Sequence, residues 1–230
     1  MRAYVINLKS RVDRWNSVIA QSNSLGLPIV RIEAVGIDEI SDRELFVAKG
    51  IAATWKSHQY AMSIFLESGD SYGLILEDDF LLTKYWDSNM LNLALQTNPD
   101  FFQLGYLVTS PQDKVGLVLN NTIDVLLKIL SKLCSFSKLI DNRLGKRLLI
   151  LEQKKLYWKI VPNDIRAGGQ AYLISRKFAL AAGYMNKPPF NSADGMFMSL
   201  GGMRSFRMFR FRRTVICQTG SMSSVQERYL

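Results

Sequence analysis

The chain has 230 residues, of which 48% are hydrophobic, 11% aromatic and 21% charged. These proportions exclude a disordered, collagen-like or disulfide-stapled chain, and the length suffices for one sizeable core. With 29 Lys and Arg against 20 Asp and Glu the formal net charge is +9, which suits a polyanionic partner but does not choose between nucleic acid, an anionic membrane and a phosphorylated ligand.

The first third predicts alternating strands and helices. Residues 3–8 form a short apolar run that turns polar at Asn7, a buried strand followed by a turn. Helical spacing follows over 12–25, with Trp15, Val18 and Ile19 on one face, and 27–32 reads as a second strand. A further helix is predicted over 52–68, carrying Trp55, Ala61, Met62 and Phe65, with Gly69 just past its end. Residues 72–80 are a continuous apolar run broken by Glu77, Asp78 and Asp79. Continuous apolar strands alternating with helices predict an α/β fold with a Rossmann-like mixed, mainly parallel sheet covered by helices on both faces.

From Ile123 the character changes. Ile123, Leu126, Leu127, Leu130, Leu133 and Cys134 make a helical stripe, and residues 128–159 hold nine basic side chains and two acidic ones. Strand character returns at 171–175, a helix is expected from Arg176, and Arg204, Arg207, Arg210, Arg212 and Arg213 lie between aromatics near the end. One domain over 1–230 with a basic amphipathic helical insertion at 121–160 is the simplest organisation. The charge divides the same way: residues 1–127 hold 10 basic and 15 acidic side chains, residues 128–230 hold 19 and 5. Cys134 and Cys217, the two cysteines, lie far apart and in no metal-like spacing. The N-terminal segment turns polar too soon for a signal peptide, and no window approaches a ~20-residue apolar span. The expected location is cytoplasmic; the basic stretch reads either as a helix lying on the anionic inner face of the membrane or as one packed on the domain with its lysines in water.

The acidic triplet carries the chemistry. Alternation along a strand puts Glu77 and Asp79 on one face and Asp78 on the other, at the strand end where open α/β sheets hold ligands. Keeping three adjacent acids ionised favours a cation, and oxygen ligands alongside substrate phosphates suit Mg²⁺ or Mn²⁺. The competing reading makes these acids helix caps or solvated loop residues.

Several segments in order carry a family resemblance over nearly the whole chain. They are Tyr4-Val5-Ile6-Asn7-Leu8 with Arg11 and Arg14; Trp55-Lys56-Ser57-His58; Leu74-Ile75-Leu76-Glu77-Asp78-Asp79; and Asp100-Phe101-Phe102-Gln103-Leu104-Gly105. Gly169-Gln170-Ala171-Tyr172-Leu173-Ile174-Ser175-Arg176, then Asp194 after Pro188-Pro189, and finally Gln218 with Ser223-Ser224-Val225 complete the set. Together they resemble glycosyltransferase family 25, the bacterial lipooligosaccharide galactosyltransferase type. Two segments depart from that pattern: Ala53-Thr54 stands where the family has Gly-Cys, and Ala34-Val35-Gly36 lacks the family's Asp.

The resemblance implies a single nucleotide-sugar transferase domain of GT-A type. It implies transfer of a hexose, galactose first, from a UDP-sugar to a glycan or lipid-linked glycan hydroxyl in surface-glycan synthesis. Glu77 and Asp79 would hold Mn²⁺ or Mg²⁺; Asn7, Arg11, Arg14, His58, Asp78, Gln218 and Ser224 would line the donor site; and Asp194 would be the base of an inverting displacement. Several of these residues also have a plain structural reading: Arg11 and Arg14 solvated or paired with Asp13, His58 packed beside Trp55, Asp194 a turn acid before a helix, Tyr172 a core residue; Gln218 and Ser224 rest on the resemblance alone. Two other functions stay open. One is a glycosyltransferase-like protein that binds without turnover. The other is a basic nucleic-acid-binding protein using Phe206, Phe209 and Phe211 among the arginines, although no recognised nucleic-acid motif accompanies them and nucleic acid is not an expected partner.

Overall fold

A computed structural model of the chain describes residues 1–41, 46–83, 86–107, 160–185, 189–203, 205–212 and 214–219. Nearly all of them belong to one compact unit, Met1–Leu107 with Val161–Arg210 and the segment from Thr214. The second unit, Val108–Ile160 with Phe211–Arg213, is described only at Ile160, Phe211 and Arg212. The expected basic insertion, apart from Ile160, lies outside the described residues, as do Ser224, Arg204 and Arg213.

The elements run β1 (Arg2–Asn7), α1 (Val12–Leu25), β2 (Ile29–Glu33), a 3₁₀ turn (Ile37–Glu39), α2 (Lys49–Glu67), β3 (Tyr72–Glu77), β4 (Phe80–Leu82) and α3 (Asn89–Gln96). They continue with β5 (Phe101–Gly105), β6 (Ile160–Pro162), β7 (Ala171–Ser175), α4 (Arg176–Tyr184), α5 (Ala193–Met203), β8 (Met208–Phe211) and β9 (Ile216–Gln218). Seven strands form one sheet in the order β2-β1-β3-β7-β5-β8-β6, and β4 pairs with β9 separately. β1 is parallel to both β2 and β3, and β5 is parallel to β8, while β7 runs antiparallel between β3 and β5. The fold is therefore α/β with a mixed sheet, compatible with a Rossmann-like arrangement.

The strands are legible because they are buried on both sides. In β1, β3, β5 and β7 both sets of alternating side chains are almost fully excluded from water, which is why these runs are continuously apolar. Tyr4, Ile75, Phe101, Tyr172 and Met208 share one core with Trp55, Met62 and Phe65 of α2, Phe178 of α4 and Phe197 of α5. Phe197 sits 4.9 Å from the Phe101 ring and 4.8 Å from that of Tyr172. Each such large side chain contributes about 1.5–3 kcal/mol on burial.

Two regions are packed in ways local pattern does not specify. In α1, Val18 and Leu25 are buried while Ile19 is 50% exposed. The helix instead meets the sheet partly through Gln21, whose amide donates to the Phe80 carbonyl (3.1 Å) and whose oxygen accepts the Leu82 N–H (3.1 Å), completing the edge of β4. In the tail, Arg210 is buried and ion-paired with Asp164, Phe211 is buried, and Phe206 packs edge-on against Phe178 at 5.2 Å. Phe206 and Phe211 thus serve packing, and Phe209 is half-buried beside the Phe102 ring at 6.3 Å.

Candidate active site at the carboxyl end of β3

The acidic triplet sits where β3 stops. Glu77 is the last strand residue, and Asp78 and Asp79 form the turn into β4. Alternation therefore ceases at Glu77, and strand geometry does not decide on which side Asp79 lies. Asp78 and Asp79 instead converge on one atom: Arg14 Nη1 lies 2.8 Å from Asp78 Oδ1 and 3.4 Å from Asp79 Oδ2. Glu77 turns toward α2, where its Oε1 is 3.4 Å from His58 Nε2.

The Asp78 side is closely held. Asn7, 1% exposed at the end of β1, donates from Nδ2 to Asp78 Oδ2 (2.6 Å) and to the Arg11 carbonyl (3.1 Å). Its Oδ1 accepts from Arg31 Nε (3.0 Å), and the Arg31 guanidinium lies over the Trp15 ring at 4.9 Å. Gln218, in β9, donates to Asp79 Oδ2 at 2.9 Å. Arg11 takes no part. Its exposed guanidinium is paired with Asp13 at 2.9 and 2.7 Å, the plain reading of that residue, and this contact holds the Asp13 carboxyl down at about 2. The arginine pair is thus divided: Arg14 joins the acids and Arg11 does not.

Asp79 is costly as an anion. Burial raises its pKa, the Gln218 hydrogen bond and Arg14 pull it back, Glu77 and Asp78 push it up again, and it comes to rest at about 6. Its Oδ1 is buried with no hydrogen-bond partner.

The opposite side is built on α2, β7 and α5. An open pocket of about 170 Å³ is lined by Glu77, Gly168, Gly169, Gln170, Asp194 and Gln218, with Thr54 of α2 at its margin. Thr54 belongs to one of the segments that depart from the family pattern. Asp194 lies in the first turn of α5, which Ser192 caps by accepting the Gly195 N–H at 3.1 Å. Burial raises the Asp194 carboxyl above its ordinary range; the Gly168 amide opposes this, Glu77 adds to it, and His58 and the Gly169 amide oppose it further. Glycine is required there. A Cβ on Gly169 would stand 2.9 Å from Asp194 Oδ1, and Gly168 has φ +118 with the Leu107 nitrogen 2.8 Å from where its Cβ would be. Gln170 is 1% exposed, and its Nε2 is buried without a hydrogen-bond partner.

His58 is buried against Tyr172, whose hydroxyl is 2.7 Å from its Nδ1. The core reading of Tyr172 is right as far as its ring goes, since the residue is fully buried, but its hydroxyl reaches the site. Arg31, Thr54, Gly168, Gly169, Gln170 and Tyr172 are site residues that sequence reasoning did not assign. The Gly168-Gly169 pair before a strand was the one usable signal; the others depend on long-range packing.

The residues fit a divalent cation in one respect. Asp78 has both oxygens occupied, but Asp79 Oδ1 is buried and unpartnered, with the Glu77 carboxylate close enough to shift its pKa. No group of three or more His, Cys, Asp or Glu able to hold a metal occurs among the described residues. One or two carboxylates suffice for Mg²⁺ when phosphate and water complete the shell. Arg14 already offsets part of the repulsion that suggested a cation. Among the described residues no helix is long and apolar enough to cross a membrane.

Neither a family description nor a curated protein matches the chain.

Proposed function

We propose that this protein is a metal-assisted glycosyltransferase of GT-A type and family 25 kinship, moving a hexose, galactose first, from a UDP-sugar to a glycan hydroxyl. One observation carries the reading. Residues from segments spread from Asn7 to Gln218, quoted above for their resemblance, converge on one strand end and one pocket.

The chemistry follows from the two sides. Asp79 through its free Oδ1, with Glu77 beside it, would hold the Mn²⁺ or Mg²⁺ ion, which supplies Lewis-acid neutralisation of the leaving diphosphate. Arg14, Asn7 and Arg31 fix Asp78 and Asp79 and bring positive charge to the diphosphate side. The pocket that Glu77 and Asp194 line would receive the transferred hexose. Asp194, half-buried and with a raised pKa, accepts the proton of the acceptor hydroxyl as the hydroxyl oxygen bonds to the anomeric carbon. The bond from that carbon to phosphate breaks, and its electron pair leaves with the nucleotide. The acceptor and any membrane contact through residues 121–160 belong to the same proposal, with a lipid-linked glycan as the acceptor class.

The test offers the purified chain UDP-, GDP- and CMP-sugars with Mn²⁺ and a panel of glycan acceptors, reading nucleotide release and product mass. Acceptor-dependent release from a UDP-hexose that is lost in Asp194→Asn is expected. Donor binding without turnover would favour a non-catalytic binding protein. No donor binding, together with salt-dependent binding of single-stranded nucleic acid, would overturn the reading.

A further inference from the structure

The strongest unassigned feature is the row Tyr172–His58–Glu77, two buried residues that end at a half-buried carboxylate. Tyr172 is fully buried, and its phenol is held protonated by that burial and by the nearby charges of Glu77 and Asp194. Its hydroxyl lies 2.7 Å from His58 Nδ1. On the other side of the ring Nε2 lies 3.4 Å from Glu77 Oε1, inside electrostatic reach but outside hydrogen-bond geometry. Phe197 stands at 90° to the imidazole with centroids 6.3 Å apart, and the Tyr172 ring lies 5.7 Å away, so the ring is confined.

A neutral imidazole has one donor and one acceptor nitrogen, and its neighbours decide which is which. If Nδ1 carried the proton, the Nε2 lone pair would face a carboxylate oxygen, and the Tyr172 proton would have to be directed away from the ring. If Nε2 carries it, the phenol donates to Nδ1 and the positive end of the Nε2–H dipole lies within electrostatic reach of Glu77. We infer that His58 is a positioning residue: Tyr172 fixes it in the Nε2–H form, and that N–H holds the Glu77 carboxylate electrostatically at the wall of the pocket it shares with Asp194. This differs from the donor-site role suggested by resemblance, because a ring 1% exposed and confined in this way works through Glu77 and not by touching a ligand. The effect on turnover rests on the transferase reading; the tautomer and the Glu77 contact do not.

The chain has a single histidine, so its ring signals need no assignment. In the ¹⁵N-labelled full chain at neutral pH, a two-bond ¹H–¹⁵N correlation spectrum is expected to show a protonated Nε2 and an unprotonated Nδ1. Tyr172→Phe is expected to lose that preference, and Glu77→Gln to move the Nε2–H resonance, with the fold of each variant checked by circular dichroism. A protonated Nδ1 in the native chain, or a pattern unchanged in both variants, overturns the inference. For turnover, His58→Gln, whose amide can supply an N–H near Nε2, is expected to keep kcat within about threefold, whereas His58→Leu loses tenfold or more with KM little changed. Equal kcat in the two variants would overturn the positioning role. An inactive native chain with the expected spectra would instead remove the transferase reading and leave the His58–Glu77 contact standing.

Discussion

The two sides of the β3 terminus balance acidic charge in opposite ways. On the Asp78 side, two buried carboxylates share the Arg14 guanidinium, Asn7 ties down one of them, and Gln218 donates to the other. On the pocket side, Glu77 and Asp194 face each other's field across a cavity. There Glu77 lies near the imidazole of His58 and Asp194 takes the Gly168 and Gly169 amides, and the Asp194 carboxyl is pushed upward. Paired acids hold a loop in place. Acids left with neutral donors remain available to bind or to take a proton. Asp79 belongs to both sides, because one oxygen is paired and the other is buried without a partner.

Four substitutions test that contrast. Asp194→Asn should lower turnover by about 10²–10⁴ while leaving the thermal melt intact, as expected for a lost base; an unchanged rate would return Asp194 to the role of a turn residue. Arg14→Leu should destabilise the fold by about 2–3 kcal/mol in chemical denaturation. It leaves two buried acids facing each other, with a discount because Arg14 itself is about a third exposed. Asp79→Asn should do the reverse. In chelator-treated protein at neutral pH it should stabilise by about 2 kcal/mol, because the folded carboxyl sits at about 6 against an ordinary 3.8. The sign fixes the pH profile. Between those values the folded state binds more protons than the unfolded, so native stability rises as pH falls from about 7 to about 4, and the variant should lack that rise. Arg11→Leu, which breaks only an exposed pair with Asp13, should leave the melt unchanged. If Arg11→Leu and Arg14→Leu behave alike, the division of the arginine pair is wrong.

The arginine pair also shows where sequence reading stops. Arg11 and Arg14 differ by one helical turn, and their surroundings in sequence look alike. One meets Asp13, two residues along; the other meets acids 64 and 65 residues away. The local partner could be foreseen, and the distant ones depend on β1 and β3 pairing in parallel, Ile6 beside Glu77. The triplet fails in the same way. Alternation predicted which acids share a face, but it holds only while the strand lasts, and β3 ends at Glu77. By contrast, α1 over Val12–Leu25 and β7 over Ala171–Ser175 fall where periodicity predicts them, since burial of whole faces writes itself into local pattern.

By itself the sequence determined the α/β alternation, the strands buried on both faces and the acids at a strand's end, because each follows from hydrophobic periodicity within about twenty residues. It also marked Asp194, His58 and Gln218 through resemblance. Only the tertiary structure decided that β7 enters antiparallel between β3 and β5, bringing Tyr172 behind His58 and the Gly168-Gly169 amides onto Asp194. Those contacts join residues more than twenty positions apart, some of them more than a hundred. Charge pairing, burial and hydrogen-bond direction at such range depend on how the elements pack, and no local pattern encodes that.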